Sequence, residues 1–417
     1  MNPFNVIVIS VVALLYVWSL YNAGIMAIGI KHLRKTSKSL GNKKKLSIET
    51  LPMMSILVPA KDEERVVGRL IQSLLRLDYP VEKREIIIVE DGSSDATTKI
   101  CARYVERYPD QMRLLHQSAS NGKPSALNCA LEHARGDIVA VFDADSVAEP
   151  EALLKAAGYF EDDSVAAVQG RPCAINADES MLSKFISYEE AVRYETYMRG
   201  KDALNLFVPL TGSCYFVRRT VLDRIGGWNE GSLSEDMELS SRLIENGHSI
   251  RYAEDVRAWQ ENPASLGQLF GQRVRWFRGC MEVSIRYGRL VRKIDRRCID
   301  AEITLFGPFM FVPFLFSYLL GLYAILDSIQ PDLAIVVMTE ATMVLMTVTL
   351  FLIGLGLFYL AKPRRSRDLL WVPFVYAYLS VQSFVALYAL LQIVFRRPRR
   401  WVKTAKVGTV SDPCLPK

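Results

Sequence analysis

None of the seven cysteines stands in a C-x-x-C pair or at a framework spacing. That excludes a disulfide scaffold and leaves free, mostly buried thiols of a reducing compartment. The chain has no internal repeat and no low-complexity segment. Excess charge is small, at +6, and the basic residues cluster beside apolar segments. Such a pattern suits membrane lipids with anionic head groups and not nucleic acid. No positive region precedes the first apolar run, Phe4 to Ile30. The run is also too long for a cleaved signal, so it reads as a transmembrane helix.

What is present divides the 417 residues unevenly. Half are hydrophobic, and they concentrate at the two ends. The expected order is a transmembrane helix (1–30), a basic cytosolic linker (31–50) and a globular α/β domain (51–280). A basic interfacial helix (281–301), a transmembrane bundle of about three helices (302–396) and a basic tail (397–417) follow. Lys31, Arg34, Lys35, Lys38 and Lys43-Lys44-Lys45 place the globular domain inside. The linker Lys362–Arg367 also belongs inside, and acidic Asp327–Asp332 outside. Four passages would leave the tail outside, against its basic Arg396-Arg397-Pro398-Arg399-Arg400. Pro308 and Pro313 are expected to kink the first of the three C-terminal spans, and Glu340 to face protein or a polar passage within the second.

The domain alternates strand and helix. Apolar strands are expected at Ser55–Pro59, Glu85–Val89, Arg113–Leu115, Ile138–Phe142 (running into Asp143-Ala144-Asp145) and Val165–Gln169. Asp62-Glu63-Glu64 opens a helix to about Leu77, and Asp95 opens another. Asn121-Gly122-Lys123-Pro124 leads into a third, and Met181–Tyr197 reads as amphipathic. Crossovers of this length imply a mostly parallel sheet, a Rossmann-like α/β fold.

The carboxylates collect where strands end. Asp143 and Asp145 flank Ala144, and on an extended chain they point to one side. Two hard oxygen donors so placed can hold Mg²⁺ or Mn²⁺ against a diphosphate. The plainer alternative is a cap on the helix after Glu149-Pro150. Glu90-Asp91-Gly92 can accept hydrogen bonds from a base or ribose, or is simply a turn. Lys123 can meet a phosphate, or be a solvated lysine. Ser234-Glu235-Asp236 is an N-cap with acid in the first turn. In the functional reading, Asp236 takes a proton from an attacking hydroxyl. Gln272, Arg275 and Trp276 share one side of a helix. They offer a donor fork for diphosphate and a flat face for a sugar, or else a membrane-surface helix.

Together these groups resemble the family 2 glycosyltransferases, in particular the processive membrane synthases of hyaluronan, cellulose, chitin and poly-N-acetylglucosamine. The resemblance runs from Ser55 to about Gly279 and implies a GT-A domain. It implies that Pro59, Glu63, Glu90, Asp91, Lys123, Asp143 and Arg275 bind the nucleotide sugar. Asp91 would take the uracil, Asp143 the ribose and diphosphate, and Asp145, with Asp143, the metal. Asp236 would be the general base, and Gly212, Ser213, Glu235, Gln272 and Trp276 would lie on the acceptor. Trp401–Thr404 is similar to a cytoplasmic post-membrane segment of such enzymes, which favours an interior tail. Lys61-Asp62-Glu63-Glu64 departs from the usual Tyr-Asn-Glu, and Glu90 replaces an Asp. Regulation by a cyclic-dinucleotide-binding extension is not expected.

The expected function is inverting, processive transfer from a UDP-sugar to a growing polysaccharide, by an integral protein of the cell membrane with its catalytic domain cytoplasmic. One alternative is transfer of a single sugar to a lipid such as ceramide, diacylglycerol or polyprenyl phosphate. Another is a non-catalytic nucleotide-sugar-binding or transport subunit.

Overall fold

The computed structural model describes residues 3–39, 48–326, 333, 335–342, 344–345, 347–348, 372–399, 406 and 408. Lys43–Lys45, the linkers Asp327–Asp332 and Lys362–Arg367, most of the second C-terminal span and Trp401–Thr404 lie outside them.

Runs too apolar to alternate form the central strands. β1 (Met54–Ala60), β2 (Arg84–Asp91), β3 (Met112–Gln117) and β4 (Ile138–Val141) are parallel, in the order β3-β2-β1-β4. Both faces are covered, so Ile56 and Ile88 meet α2 (Val67–Leu75) while Leu57 and Ile87 join the layer containing α4 (Lys123–His133). Between them α3 (Thr97–Arg107) follows β2.

The sheet then turns mixed. β5 (Val147–Ala148), α5 (Ala152–Tyr159), β6 (Val165–Ala174), β7 (Tyr215–Arg218), α8 (Arg219–Ile225), α9 (Glu235–Glu245) and β8 (Ser249–Gln260) build its second half. β7 is antiparallel to both β4 and β6, whereas β6 and β8 are parallel. Val165–Gln169 is thus a strand, but not the fifth of a parallel run. β7 is too short to register as a pattern, and Arg251, Glu254, Asp255 and Arg257 interrupt β8's apolar alternation.

Three local expectations are corrected. Asp62-Glu63-Glu64 does not start α2. Asp62 adopts φ 52°, its Oδ1 accepts from Ser94 N at 2.6 Å, and Glu64 Oε2 accepts from Ala96 N at 3.0 Å. This acid caps the entry to α3 instead. α1 (Pro3–Ser39) does not stop at Ile30 but continues into the basic stretch, where no proline ends it. Residues 281–301 are not one helix. α10 (Leu266–Tyr287) gives way to a tight turn, Gly288–Lys293, and Ile294 at φ 47° breaks the chain before α11 (Arg296–Leu326), which contains Pro308 and Pro313.

α6 (Met181–Val192) widens into a π-helical segment, Arg193–Met198, followed by α7 (Arg199–Ala203). α1 packs against both. A Cβ on Gly29 would lie 1.8 Å from Thr196 O, and one on Gly200 2.1 Å from Ile25 O, so only glycine permits this approach. Beneath the contact, fully buried Lys201 holds both carboxylate oxygens of Asp300, at 2.7 and 2.8 Å. Asp300 also accepts from Phe207 N at 2.7 Å and from the Tyr21 hydroxyl. One carboxylate thereby joins α1, α7 and α11.

Among the described residues two helices, Asn5–Leu33 and Arg296–Leu320, are long and apolar enough to cross a bilayer. α12 (Val372–Val394) packs on α10 and α11. Among the described residues Glu340 is exposed. The six described cysteines are free. Arg278 donates to the carbonyls of Arg397 and Pro398 at 2.6 and 3.2 Å, and Arg399 to Gly231 O at 2.9 Å. Residues 397–399 therefore lie against the α/β domain.

Candidate active site

Loops leaving β1, β2, β3 and β4 meet at the C-terminal edge of the parallel half, where ligands of such sheets bind. Antiparallel β7 begins at the same edge, because Tyr215 pairs with Val141. This brings Thr211-Gly212-Ser213 to the loop after β4.

Asp143 and Asp145 do not stand on an extended strand. β4 ends at Val141, and Ser146 N closes a turn on Asp143 O at 2.9 Å. Asp143 N donates to Ser213 Oγ at 3.0 Å. Its carboxylate pairs with Lys123 Nζ at 2.7 Å, and Lys123 reaches Glu235 Oε1 at 3.1 Å and Gly212 O at 2.7 Å. Burial pulls the lysine down, but Asp143 and Glu235 outweigh it and hold Lys123 well above the ordinary lysine value. Burial, then nearby Asp145, pushes Asp143 up against the opposing pull of Lys123. Neither aspartate caps α5, whose first residue bonds to Glu149 O.

Asp145 is buried, and Lys406 Nζ lies 2.6 Å from its Oδ2. Lys406 also donates to Glu261 O at 2.8 Å, while Gly408 N sits 3.2 Å from both Glu261 carboxylate oxygens. Arg69 holds Glu261 Oε1 at 3.0 Å and the Asp145 carbonyl at 3.3 Å. Sequence reasoning missed Arg69, Glu261 and Lys406. The available signal was the Trp401–Thr404 stretch, two residues short of Lys406. Glu63 joins this side of the site: its N–H meets Thr97 Oγ1 at 2.7 Å, and its charge helps raise Lys406.

Asp236 heads α9. The expected Ser234 side-chain cap is not formed, and Asp236 Oδ1 instead accepts from Met237 N at 2.8 Å. Oδ2 faces the backbone of Gly212, 3.4 Å from where a Cβ would stand. Burial, then neighbouring Glu235, raises the carboxyl to about 7, against the pull of Lys123 and Arg275.

Asp91 is buried at the end of β2, after Glu90, while Pro59 of β1 pairs with Val89. It accepts from Ser120 Oγ at 2.8 Å, Asn121 N at 2.9 Å and Gly122 N at 3.0 Å. In this structure it fixes the loop that delivers Lys123. Glu90 is fully buried, bonds Ser93 N and pairs with His116 at 2.5 Å. On α10, Arg275 lies close enough to act on Asp236, whereas the ring of Trp276 is covered by Arg273, 4.7 Å from its centre. Arg273 in turn holds Glu189 at 2.7 Å. Gln272 is half-buried one turn earlier, and among the described residues no contact joins it to the acidic cluster.

The family profile described as "Glycosyltransferase like family 2" matches residues 52–279. The chain is a family 2 glycosyltransferase. It is 30% identical over 309 residues to the probable glycosyltransferase YdaM of Bacillus subtilis, covering 73% of each chain. It is also 30% identical over 383 residues to the β-monoglucosyldiacylglycerol synthase of Trichormus variabilis, covering 86% of this chain and 78% of that one. In fold the glycosyltransferase is similar to a mannosyltransferase of Pyrobaculum calidifontis solved with GDP-Man and Mn²⁺. That likeness has a TM-score of 0.59 at 18% identity, over 92% of this chain and all of the other.

Among the described residues no three His, Cys, Asp or Glu side chains form a metal cluster. The donor set nevertheless fits a diphosphate-held ion, since Mg²⁺ commonly takes one or two carboxylates and completes its shell with phosphate and water. Asp145 lies close enough to help raise Asp143, and each carboxylate already pairs with a lysine, Lys123 for Asp143 and Lys406 for Asp145.

Proposed function

We propose that this enzyme transfers a hexose from a UDP-sugar, with inversion, to a hydroxyl group presented at the membrane face. The observation that carries the reading is Asp236, a carboxyl raised to about 7 beside Gly212 and the Lys123–Asp143 pair. A base poised near neutral pH both exists as carboxylate and accepts a proton readily. Asp236 takes the proton of the attacking hydroxyl at Oδ2. Arg275 favours the carboxylate form, and Lys123 and Arg275 supply positive charge where the leaving nucleotide gains negative charge. Asp143 and Asp145 would hold Mg²⁺ or Mn²⁺, which supplies further neutralisation of the departing diphosphate. In this reading Asp91, Glu90, Pro59 and Glu63 would serve the nucleoside side and Gly212, Ser213 and Glu235 the acceptor side, while Gln272 and Trp276 would meet the acceptor further along α10, where Arg273 covers the Trp276 ring.

Similarity to a β-monoglucosyldiacylglycerol synthase over most of both chains favours a lipid acceptor that receives one sugar. Trp276 beside Arg275 on α10, whose Arg275 acts on Asp236, supports a second reading in which a growing polysaccharide is extended processively. The basic cytosol-facing end of α1 supports an integral protein of the cell membrane with its catalytic domain inside.

The test is product analysis. The enzyme in nanodiscs receives UDP-glucose, UDP-galactose, UDP-N-acetylglucosamine or GDP-mannose, with diacylglycerol and Mg²⁺ or Mn²⁺. Mass spectrometry showing one hexose on lipid bears out the first reading, and a ladder of lengths the second. Absence of nucleotide release with every donor rejects both in favour of a binding subunit.

A further inference from the structure

We propose that Tyr194 positions the acceptor loop, and that the membrane helix α1 in turn sets Tyr194. The inference rests on the transferase reading above and names residues that reading does not use.

Thr211-Gly212-Ser213 touches both halves of the chemistry. Gly212 faces Asp236 Oδ2, and Ser213 Oγ receives Asp143 N at 3.0 Å. An acceptor hydroxyl at Asp236 Oδ2 would lie against this loop. Its backbone is fastened from the sheet, where Gln169 Oε1 accepts from Thr211 N at 2.8 Å and Gln169 Nε2 donates to Ser213 O at 3.1 Å. The side chain of Thr211 is fastened from elsewhere, because its hydroxyl receives the Tyr194 hydroxyl at 3.0 Å.

Tyr194 is buried and stacked on Tyr252, with ring centres 6.2 Å apart. It lies on the π-helical segment Arg193–Met198, a backbone form costly enough to persist chiefly where it serves a site. The same segment carries the seat of α1. Thr196 O is the atom a Cβ on Gly29 would strike, and Gly200, just beyond, receives Ile25 with equal closeness. Glu195, between Tyr194 and Thr196, is fixed by Arg199 at 2.7 Å and by Arg171. The wide turn is therefore held on both sides. A shift of α1 must move Thr196, and with it the hydroxyl that sets Thr211. Tyr194 touches no reacting atom, so its role is positional.

Tyr194→Phe removes one hydrogen bond and keeps the ring. With UDP-sugar and diacylglycerol in nanodiscs, its acceptor KM should rise about three- to tenfold, the cost of one lost hydrogen bond. Donor KM, UDP release without acceptor and the melting temperature should stay at wild-type values. A merely structural role would move all of these together. Thr211→Val should give the same acceptor KM, and the double variant should be no worse than either single one. Gly29→Val, which wedges α1 away from Thr196, should raise acceptor KM in the same sense. An unchanged acceptor KM in Tyr194→Phe, equal loss for donor and acceptor, or additive effects with Thr211→Val would overturn the positioning role. A wild-type KM in Gly29→Val would overturn the link to α1. A wild type that transfers to no acceptor marks failure of the underlying reading, and the inference falls with it.

Discussion

Lys406 Nζ lies 2.6 Å from Asp145 Oδ2, on the carboxylate expected to meet a divalent cation. The lysine is brought there by the tail, from far along the chain. Its own charge is favoured, since Asp145 overcomes the effect of burial. Lysine and metal compete for the same oxygen. Lys406→Ala should therefore lower the half-saturating Mg²⁺ or Mn²⁺ concentration about three- to tenfold, equivalent to roughly 0.7–1.4 kcal/mol. Metal titration of UDP release measures this; an unchanged or raised metal requirement would contradict the competition.

Asp236 sets the pH dependence. With the carboxyl at about 7, kcat/KM should climb as pH rises through neutrality and level off above it. Asp236→Asn should cut transfer by about 10²- to 10⁴-fold while UDP still binds. The same residue gives a stability signature of defined sign. A carboxyl whose native value is raised favours the folded state at low pH, and that contribution is lost as pH rises through about 7. Asp236→Asn should consequently melt a few degrees above wild type at pH 8 and level with it in acid, as scanning calorimetry would show.

Gly92 has φ 65°, and a Cβ there would lie 2.9 Å from Ser120 N. Ser120 is one of the donors that Asp91 holds. Gly92→Ala adds a left-handed cost of about 1–2 kcal/mol and pushes on that loop. Calorimetric titration should show UDP affinity falling about tenfold or more, with the melting temperature only slightly changed.

Lys201 and Asp300 form a pair removed from water at the junction of α1, α7 and α11. Lys201→Met would leave buried Asp300 with the Phe207 and Tyr21 donors but without its cation, a loss of about 3–5 kcal/mol. Thermal unfolding in detergent should show a sharp drop. Replacing both members by apolar residues should recover much of it.

The parallel half of the fold was legible because continuous apolar runs such as Ile86-Ile87-Ile88 have few alternatives inside a covered sheet. β7 and β8 were not, being short in one case and studded with charge in the other. Of the candidate site, Asp143, Asp145, Lys123, Asp236 and Arg275 were named from residue type and position and Glu235 from the family resemblance, and the structure brings these side chains near one another. The geometry of Asp143 and Asp145 was misjudged, because a turn and not strand alternation orients them. Asp62–Glu64 was misread for a related reason. Acid suits any nearby helix N-terminus, and sequence proximity selected α2 where spatial proximity selects α3. Lys406 and Glu261 escaped notice because a lone lysine and a lone glutamate carry no pattern until the chain folds them together.

The Arg278 clasp on the carbonyls of Arg397 and Pro398 ties the segment after α12 to α10 and so to the α/β domain. A fluorescent protein fused after Lys417 should then share its compartment with the catalytic domain.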